Sequence, residues 1–292
     1  MSNSRINHLL IHFQTWIPAR AVGKYVHRLS RCKVRWIKNL LIRGFAWFYC
    51  VNKSEAAAEV PKGYASFNAF FTRELKAGVR PIDSRPDSLL SPADGVIAQS
   101  GYASAGKLLQ AKGLEYSAAD LLGDPGLATK LANSAFATIY LAPHNYHRVH
   151  MPMGGVLERT TFIPGLLYSV NARTTAAVEN LYALNERLVC QFRNNDGPFA
   201  LVLVGAMNVA SISTAWAGEI TPPPDRSVMR TDFSANESLR FERGDYMGHF
   251  NLGSTVVFIA PGEGIEWLQA ADGGERVQAG QRIGSHTNQA QP

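Results

Sequence analysis

Apolar positions change their spacing along the chain. From Trp36 to Val51, residues Ile37, Leu40, Leu41, Phe45 and Phe48 recur at helical spacing, with Lys38 and Arg43 toward the flanks. The pattern predicts an amphipathic helix, weakened somewhat by Gly44 on the same face. Ser54 to Pro61 is an Ala/Glu-rich link. A short amphipathic helix is predicted over Phe67-Asn68-Ala69-Phe70-Phe71-Thr72-Arg73-Glu74-Leu75, then a Pro/Asp-rich connector through Asp87. From Leu89 the pattern becomes short β-type runs punctuated by Gly, Pro and Asp. Examples are 95–98, 136–141, 188–192, 200–204, 207–214 and 255–260, with helical windows at 115–134 and 173–187. No long βαβ alternation occurs, so the fold class expected is α+β with a mainly antiparallel β body. Residues 274–284 read as strand, turn and strand of a small barrel-like sheet, and the last eight residues as loose.

Charge sharpens the division. The formal net charge of +6 conceals an N-terminal segment, residues 1–53, with ten basic side chains and no Asp or Glu. The rest of the chain holds 19 basic against 23 acidic groups, a net of −4. The basic segment also carries Phe13, Trp16, Tyr25, Trp36, Phe45, Trp47, Phe48 and Tyr49. Basic, aromatic, amphipathic helices bind anionic lipid interfaces by burying an apolar face and attracting head groups. A nucleic-acid arm would carry fewer bulky aliphatics and a longer solvated charge run. A helical subdomain packed on the core, with its charges facing water, is the plainer alternative. Residues 1–60 are therefore expected to form a membrane-association segment and residues 61–292 the main α+β domain.

Composition excludes several classes. A chain of 292 residues with 46% apolar content can bury a large core in one or two domains. Cys32, Cys50 and Cys190 are scattered, which argues against a disulfide framework or a cysteine zinc site. The N-terminus lacks the ordered features of a secretory signal. No run approaches the ~20 apolar residues of a spanning helix. There is no nucleophile-elbow Gly-x-Ser-x-Gly, no phosphate-binding Gly-x4-Gly-Lys-Ser/Thr and no His-Glu-x-x-His.

Three stretches carry candidate chemistry. Gly253-Ser254 stands just before the apolar run Thr255-Val256-Val257-Phe258-Ile259-Ala260. Glycine and serine at a strand mouth make an ordinary turn. The same pair also suits self-cleavage, in which Ser254 Oγ attacks the unhindered carbonyl of Gly253. In Leu141-Ala142-Pro143-His144-Asn145-Tyr146-His147-Arg148-Val149-His150-Met151-Pro152, three of the chain's eight histidines lie within seven residues. If that segment is extended, His144 and His150 share one face and His147 the other. It reads either as a hydrogen-bonded polar cluster or as a source of bases for Ser254 and for a substrate; no metal set is evident nearby. Finally, Asp94-Gly95 is an ordinary turn signal before a strand, or a carboxylate placed to orient a histidine.

In order, these segments resemble the pyruvoyl-dependent phosphatidylserine decarboxylases. The resemblance rests on Phe67–Arg73, Ser91-Pro92-Ala93-Asp94-Gly95, Lys112-Gly113-Leu114-Glu115-Tyr116-Ser117, Tyr146–Pro152, Pro164-Gly165 through Asn171, Asn185-Glu186-Arg187 and Leu252-Gly253-Ser254-Thr255, across about residues 64–284. The N-terminal helices match in character rather than motif. The resemblance implies that Asp94 orients His150, His150 deprotonates Ser254, and the chain splits into residues 1–253 and a 39-residue chain from 254 to 292. It implies a covalent pyruvoyl cofactor made from Ser254, Schiff-base chemistry on phosphatidylserine that releases CO2, and phosphatidylethanolamine as product, with His147 placing substrate or supplying a proton. It further implies a peripheral location on the cytoplasmic side of the cell membrane, an anionic membrane surface as partner, no metal and no nucleic acid; it admits a homodimer. Two other readings stay open: a pyruvoyl enzyme for a soluble amino acid, and a lipid-binding domain without catalysis.

Overall fold

The computed structural model describes residues 19–111, 113–206, 211–234, 238–268 and 274–286. Lys112, residues 207–210 of a predicted β run, Phe13 and Trp16 lie outside the described residues, as does the side chain of Ser254. Helices α1 (Ala19–Ser30) and α2 (Arg35–Phe48) come first, then α3 (Phe67–Phe71), N-capped by Ser66 Oγ accepting from the Ala69 amide. Eighteen strands follow among the described residues: β1 (Ser88–Leu90), β2 (Gly95–Tyr102), β3 (Lys107–Ala111), β4 (Leu114–Ser117), β5 (Ser134–Leu141), β6 (Arg148–His150), β7 (Gly155–Ile163), β8 (Arg187–Asn194), β9 (Gly197–Gly205), β10 (Ile212–Thr214), β11 (Gly218–Ile220), β12 (Met229–Asp232), β13 (Arg240–Phe241), β14 (Tyr246–Phe250), β15 (Ser254–Pro261), β16 (Ile265–Trp267), β17 (Glu275–Val277) and β18 (Arg282–His286).

The strand ladders are antiparallel throughout the described residues, as the alternating runs predict. A large sheet has the order β12-β7-β8-β9-β15-β5-β2-β17, with β13 also on β7. Smaller sheets run β11-β10-β14-β6 and β1-β18-β16, and β3-β4 is a hairpin. The central strands are buried on both faces, which is why they read as near-continuous apolar runs. In β15, Val256, Phe258 and Ala260 point into a core shared with the two smaller sheets. Val257 and Ile259 point into a second core, under the hairpin and the short helices at 118–122, 125–130 and 181–184. The helical windows 115–134 and 173–187 thus hold short helices, at 118–122 and 125–130 in the first and at 172–175 and 181–184 in the second. Residues 275–286 do form strand, turn and strand, but β17 pairs with β2 and β18 with β1 and β16, so the two join different sheets.

α2 differs from its predicted facing. Lys38, Ile42 and Ala46 make the buried line, spaced four apart, and pack with Val51, Ala56, Tyr64 and Phe70. Phe45 lies edge-on to Phe67, Phe70 and Phe71. Lys38 is accommodated because its Nζ donates to the Pro61 carbonyl at 3.3 Å and to Asn39 Oδ1 at 2.9 Å. Ile37 and Leu41 are half-buried, while Leu40 and Phe48 face outward with Trp36 and Trp47. The helix is apolar on two sides, so periodicity alone could not choose which side α3 would cover.

Candidate active site

The register of the large sheet gathers the three candidate stretches at one end. Tyr140 of β5 is paired with Val96 on one side and Thr255 on the other. One step further along β5, Leu141 faces Ser254, and Ser254 faces Gly205 across its other edge. Gly95, next in register on β2, approaches so closely that a Cβ there would lie 2.3 Å from the Tyr140 carbonyl oxygen. Asp94 therefore stands at the mouth of β2, the histidine segment leaves the mouth of β5, and the Gly253–Ser254 bond enters β15. Gly253 has φ of +43°, a left-handed conformation that favours glycine. The smaller sheet closes the circuit. β6, which carries His150, pairs with β14, the strand just before the Gly253–Ser254 bond, and the Phe250 amide donates to the His147 carbonyl at 3.3 Å.

The histidine segment is not extended. The Asn145 amide donates to the Ala142 carbonyl, and Asn145 Oδ1 accepts from the Ala142 amide, which makes a turn and sends the three imidazoles to different surroundings. His144 is exposed. His147 is fully buried, stacked on Phe71 with ring centroids 4.0 Å apart. Its Nε2 lies 3.3 Å from the Pro143 carbonyl, so Nε2 carries the proton, and the buried Nδ1 lone pair has no partner. Burial, reinforced by the Arg73 and His144 charges, holds the His147 pKa down to about 3. His150 Nδ1 donates to the Gly244 carbonyl at 2.9 Å, leaving Nε2 to accept from the Tyr146 hydroxyl at 3.1 Å. His150 is thus presented as a neutral base with its pKa lowered, chiefly by burial.

Asp94 is buried but engaged elsewhere. Arg80 Nε donates to both carboxylate oxygens at 2.8 and 3.0 Å, Arg80 Nη2 to Oδ2 at 2.5 Å, and the Ala279 amide to Oδ1 at 2.9 Å. Arg80 in turn pairs with Glu55 at 3.0 Å. The expected Asp94–His150 hydrogen bond is replaced here by Gly244 on the histidine and Arg80 on the carboxylate. Asp94 acts on His150 only through its nearby charge, which raises the His150 pKa against the larger effect of burial. Arg80, Glu55, Tyr146, Gly244 and Asn251 are site residues that sequence reasoning missed. Asn251, two residues before Gly253, is 2% exposed. It donates to Ser211 Oγ at 2.8 Å and Ser213 Oγ at 3.0 Å and accepts from Asn68 at 3.0 Å. Its place in the Phe250–Ser254 stretch was the one available signal. Among the described residues there is no group of three or more His, Cys, Asp or Glu placed to hold a metal.

The buried histidines make stability acid-sensitive. An unfolded histidine titrates near 6.5, and His147 in the fold near 3, so its contribution is complete above pH 6.5 and is lost as pH falls toward 3. Each pH unit below 6.5 should cost about 1.4 kcal/mol through His147 alone. Urea unfolding at pH 7.5 and 5.5 should show the lower stability at 5.5, with a smaller difference in His147→Gln.

Comparison with known proteins identifies the chain's relatives. A family model described as phosphatidylserine decarboxylase matches residues 67–285. A second, described as PSD, matches residues 9–50, so the N-terminal segment carries a family pattern beyond its general character. The phosphatidylserine decarboxylase proenzyme of Methylococcus capsulatus is 45% identical over 279 residues, covering 95% of this chain and 96% of that protein. That of Pseudomonas fluorescens is 46% identical, covering 94% and 96%. The Azotobacter vinelandii proenzyme is 44% identical, covering 93% and 96%. The chain belongs to the phosphatidylserine decarboxylase family.

Proposed function

We propose that this chain is a proenzyme that cleaves itself between Gly253 and Ser254 and then decarboxylates phosphatidylserine to phosphatidylethanolamine. The observation that carries this reading is the register placing Gly253–Ser254 beside the mouths of β2 and β5, where Asp94 and the histidine segment stand. In the proposed step, His150 Nε2 takes the Ser254 hydroxyl proton once Tyr146 gives way, and Ser254 Oγ attacks the Gly253 carbonyl carbon. The peptide nitrogen leaves the carbonyl as the ester forms. Elimination across the serine Cα–Cβ bond frees the 1–253 carboxylate, and hydrolysis of the dehydroalanine end releases ammonia.

The residues fit the group so made. It would stand at position 254, where the strand begins and is paired on both sides, with the buried, unpartnered Nδ1 of His147 in the neighbouring segment. A pyruvoyl carbonyl supplies an electron sink for the electrons left when CO2 departs. Around it, His147 places the substrate amine or returns a proton, His150 remains a neutral base, and the apolar cores exclude water. Intact mass under denaturing conditions tests the reading. Chains of 1–253 and 254–292, the latter lighter than a serine-started chain by one ammonia, support it; a single whole chain that persists on incubation overturns it. Phosphatidylserine turnover in mixed vesicles then tests the substrate.

Membrane association belongs to the same proposal, with residues 1–60 as docking segment and 61–292 as catalytic domain. Among the described residues, no helix is long and apolar enough to cross a membrane. Trp36 and Trp47 are 70% and 81% exposed, beside exposed Leu40 and Phe48 and basic Arg35 and Arg43. This outward side of α2 suits the cytoplasmic interface of an anionic membrane. Trp36→Ser combined with Trp47→Ser should weaken co-sedimentation with phosphatidylserine vesicles at least about tenfold. Self-cleavage should be unaffected, since neither side chain packs on the core. Deleting residues 1–50 would be a poorer test, because Ile42 and Ala46 belong to the core around Phe70.

A further inference from the structure

Arg73 is 4% exposed, yet it has no ion-pair partner among the described residues. Its Nη2 donates to the carbonyls of His144 at 3.1 Å and Asn145 at 3.3 Å, and its guanidinium lies 5.3 Å from the Phe70 ring centroid. The buried Nε and Nη1 have no partner. Two other arginines, the buried Arg187 and the half-buried Arg80, are treated differently. Arg187 donates to the carbonyls of Leu121, Ala183, Asn185 and Asp120, and Arg80 is neutralised by Asp94 and Glu55. An under-satisfied buried cation is costly, so its retention calls for a reason.

The surrounding segment supplies one. Phe71 stacks on His147, the Thr72 carbonyl accepts from Arg148 Nε at 3.0 Å, Glu74 pairs with Arg148 at 2.9 Å, and Asn68 donates to Asn251. Residues 68–74 thus touch the histidine segment on one side and the approach to the Gly253–Ser254 bond on the other. We propose that Arg73 is a positioning residue for self-cleavage, fixing the 142–145 turn through the His144 and Asn145 carbonyls and adding positive charge beside the His144 and His147 imidazoles. The inference rests on the proposed self-cleavage but has a readout of its own.

The charges facing this cluster define the electrostatic part. Tyr64, Asp94, Glu55 and Arg80 act electrostatically on Arg73; Arg276 and Arg73 act on His144; Arg73 and His144 act on His147. Arg73 at both His144 and His147, and Arg276 at His144, disfavour imidazolium in addition to burial; at His150 that part falls to Arg148, itself paired with Glu74.

The test uses the full chain made in a cell-free system, so that cleavage is followed from its start. Arg73→Met should slow cleavage by about 10- to 100-fold, as expected for a misplaced base. In a Ser254→Ala background, imidazole NMR titration should show the midpoints of His144 and His147 rising in Arg73→Met. Arg73→Lys keeps the charge but not the two-carbonyl fork, so its midpoints should stay put while cleavage is slow. A folded Arg73→Lys chain that cleaves at the wild-type rate overturns the positioning role. Unmoved midpoints in Arg73→Met, or in its place if that variant does not fold, unmoved midpoints in Arg73→Gln, overturn the electrostatic one. Failure of the wild-type chain itself to cleave strikes at the proposed function instead, and leaves the titration result standing.

Discussion

Ser254→Ala should remain one 292-residue chain and turn over no phosphatidylserine at all. The effect is expected to be total because one oxygen atom serves two purposes. Without Oγ there is no nucleophile for the Gly253 carbonyl, and the next hydroxyl in the run, that of Thr255, adjoins the carbonyl of residue 254 rather than that of Gly253. Without cleavage there is no new N-terminus and hence no carbonyl to act as electron sink. The substitution should leave the fold intact, because the ladder from Ser254 to Leu141 and Gly205 is made by backbone groups. Gel mobility over a day, with circular dichroism as the folding check, decides the matter. A cleaved Ser254→Ala chain would rule out Ser254 as the nucleophile.

That Ser254 could be singled out from sequence, while its partners could not, follows from how each signal is encoded. The β body was legible because β5, β9 and β15 alternate between two apolar cores and leave uninterrupted runs. Asp94, His147, His150 and Gly253 stood out as candidates because the stretches that hold them resemble one family when taken in order; alone, Asp94-Gly95 and Gly253-Ser254 read as ordinary turns. Their mutual contacts were not legible, because they depend on register. Gly244 accepts the Nδ1–H hydrogen bond of His150 through a backbone carbonyl, a group every residue has. Arg80 reaches Asp94 from a Pro/Asp-rich connector that local pattern marks only as a loop. The turn at 142–145 hides behind an Asn side chain bonding to backbone, and this makes an extended reading of the three histidines fail. α2 shows the same limit in a helix: its apolar residues occupy two sides, and only the aromatic cluster of α3 determines which is covered.

Asp94→Ala should have the second-largest effect, on stability as well as chemistry. Asp94 and Arg80 have side-chain exposures of 5% and 13%, and their ion pair is joined by the Ala279 amide. Removing the carboxylate leaves Arg80 with Glu55 alone, which is 26% exposed, and strands the Ala279 donor. Breaking a buried pair from one side costs about 3–5 kcal/mol. In a Ser254→Ala background, where cleavage cannot confuse the comparison, urea unfolding should show a loss of that order. Arg80→Met should lose a similar amount, since it leaves a buried carboxylate without its main partner. The two variants should part in cleavage, measured with Ser254 restored. Asp94→Ala removes the negative charge that favours protonation of His150, and should cleave very slowly, like His150→Ala. Arg80→Met keeps that charge and releases the carboxylate from its competing cation, so cleavage should persist in the folded fraction. Efficient cleavage by Asp94→Ala or His150→Ala would remove the proposed Asp94–His150–Ser254 relation. Equal loss of cleavage in Asp94→Ala and Arg80→Met, at equal folded fraction, would mean that Asp94 matters as a structural anchor between the 55–80 segment and the mouth of β2, with Tyr146 and Gly244 alone setting His150.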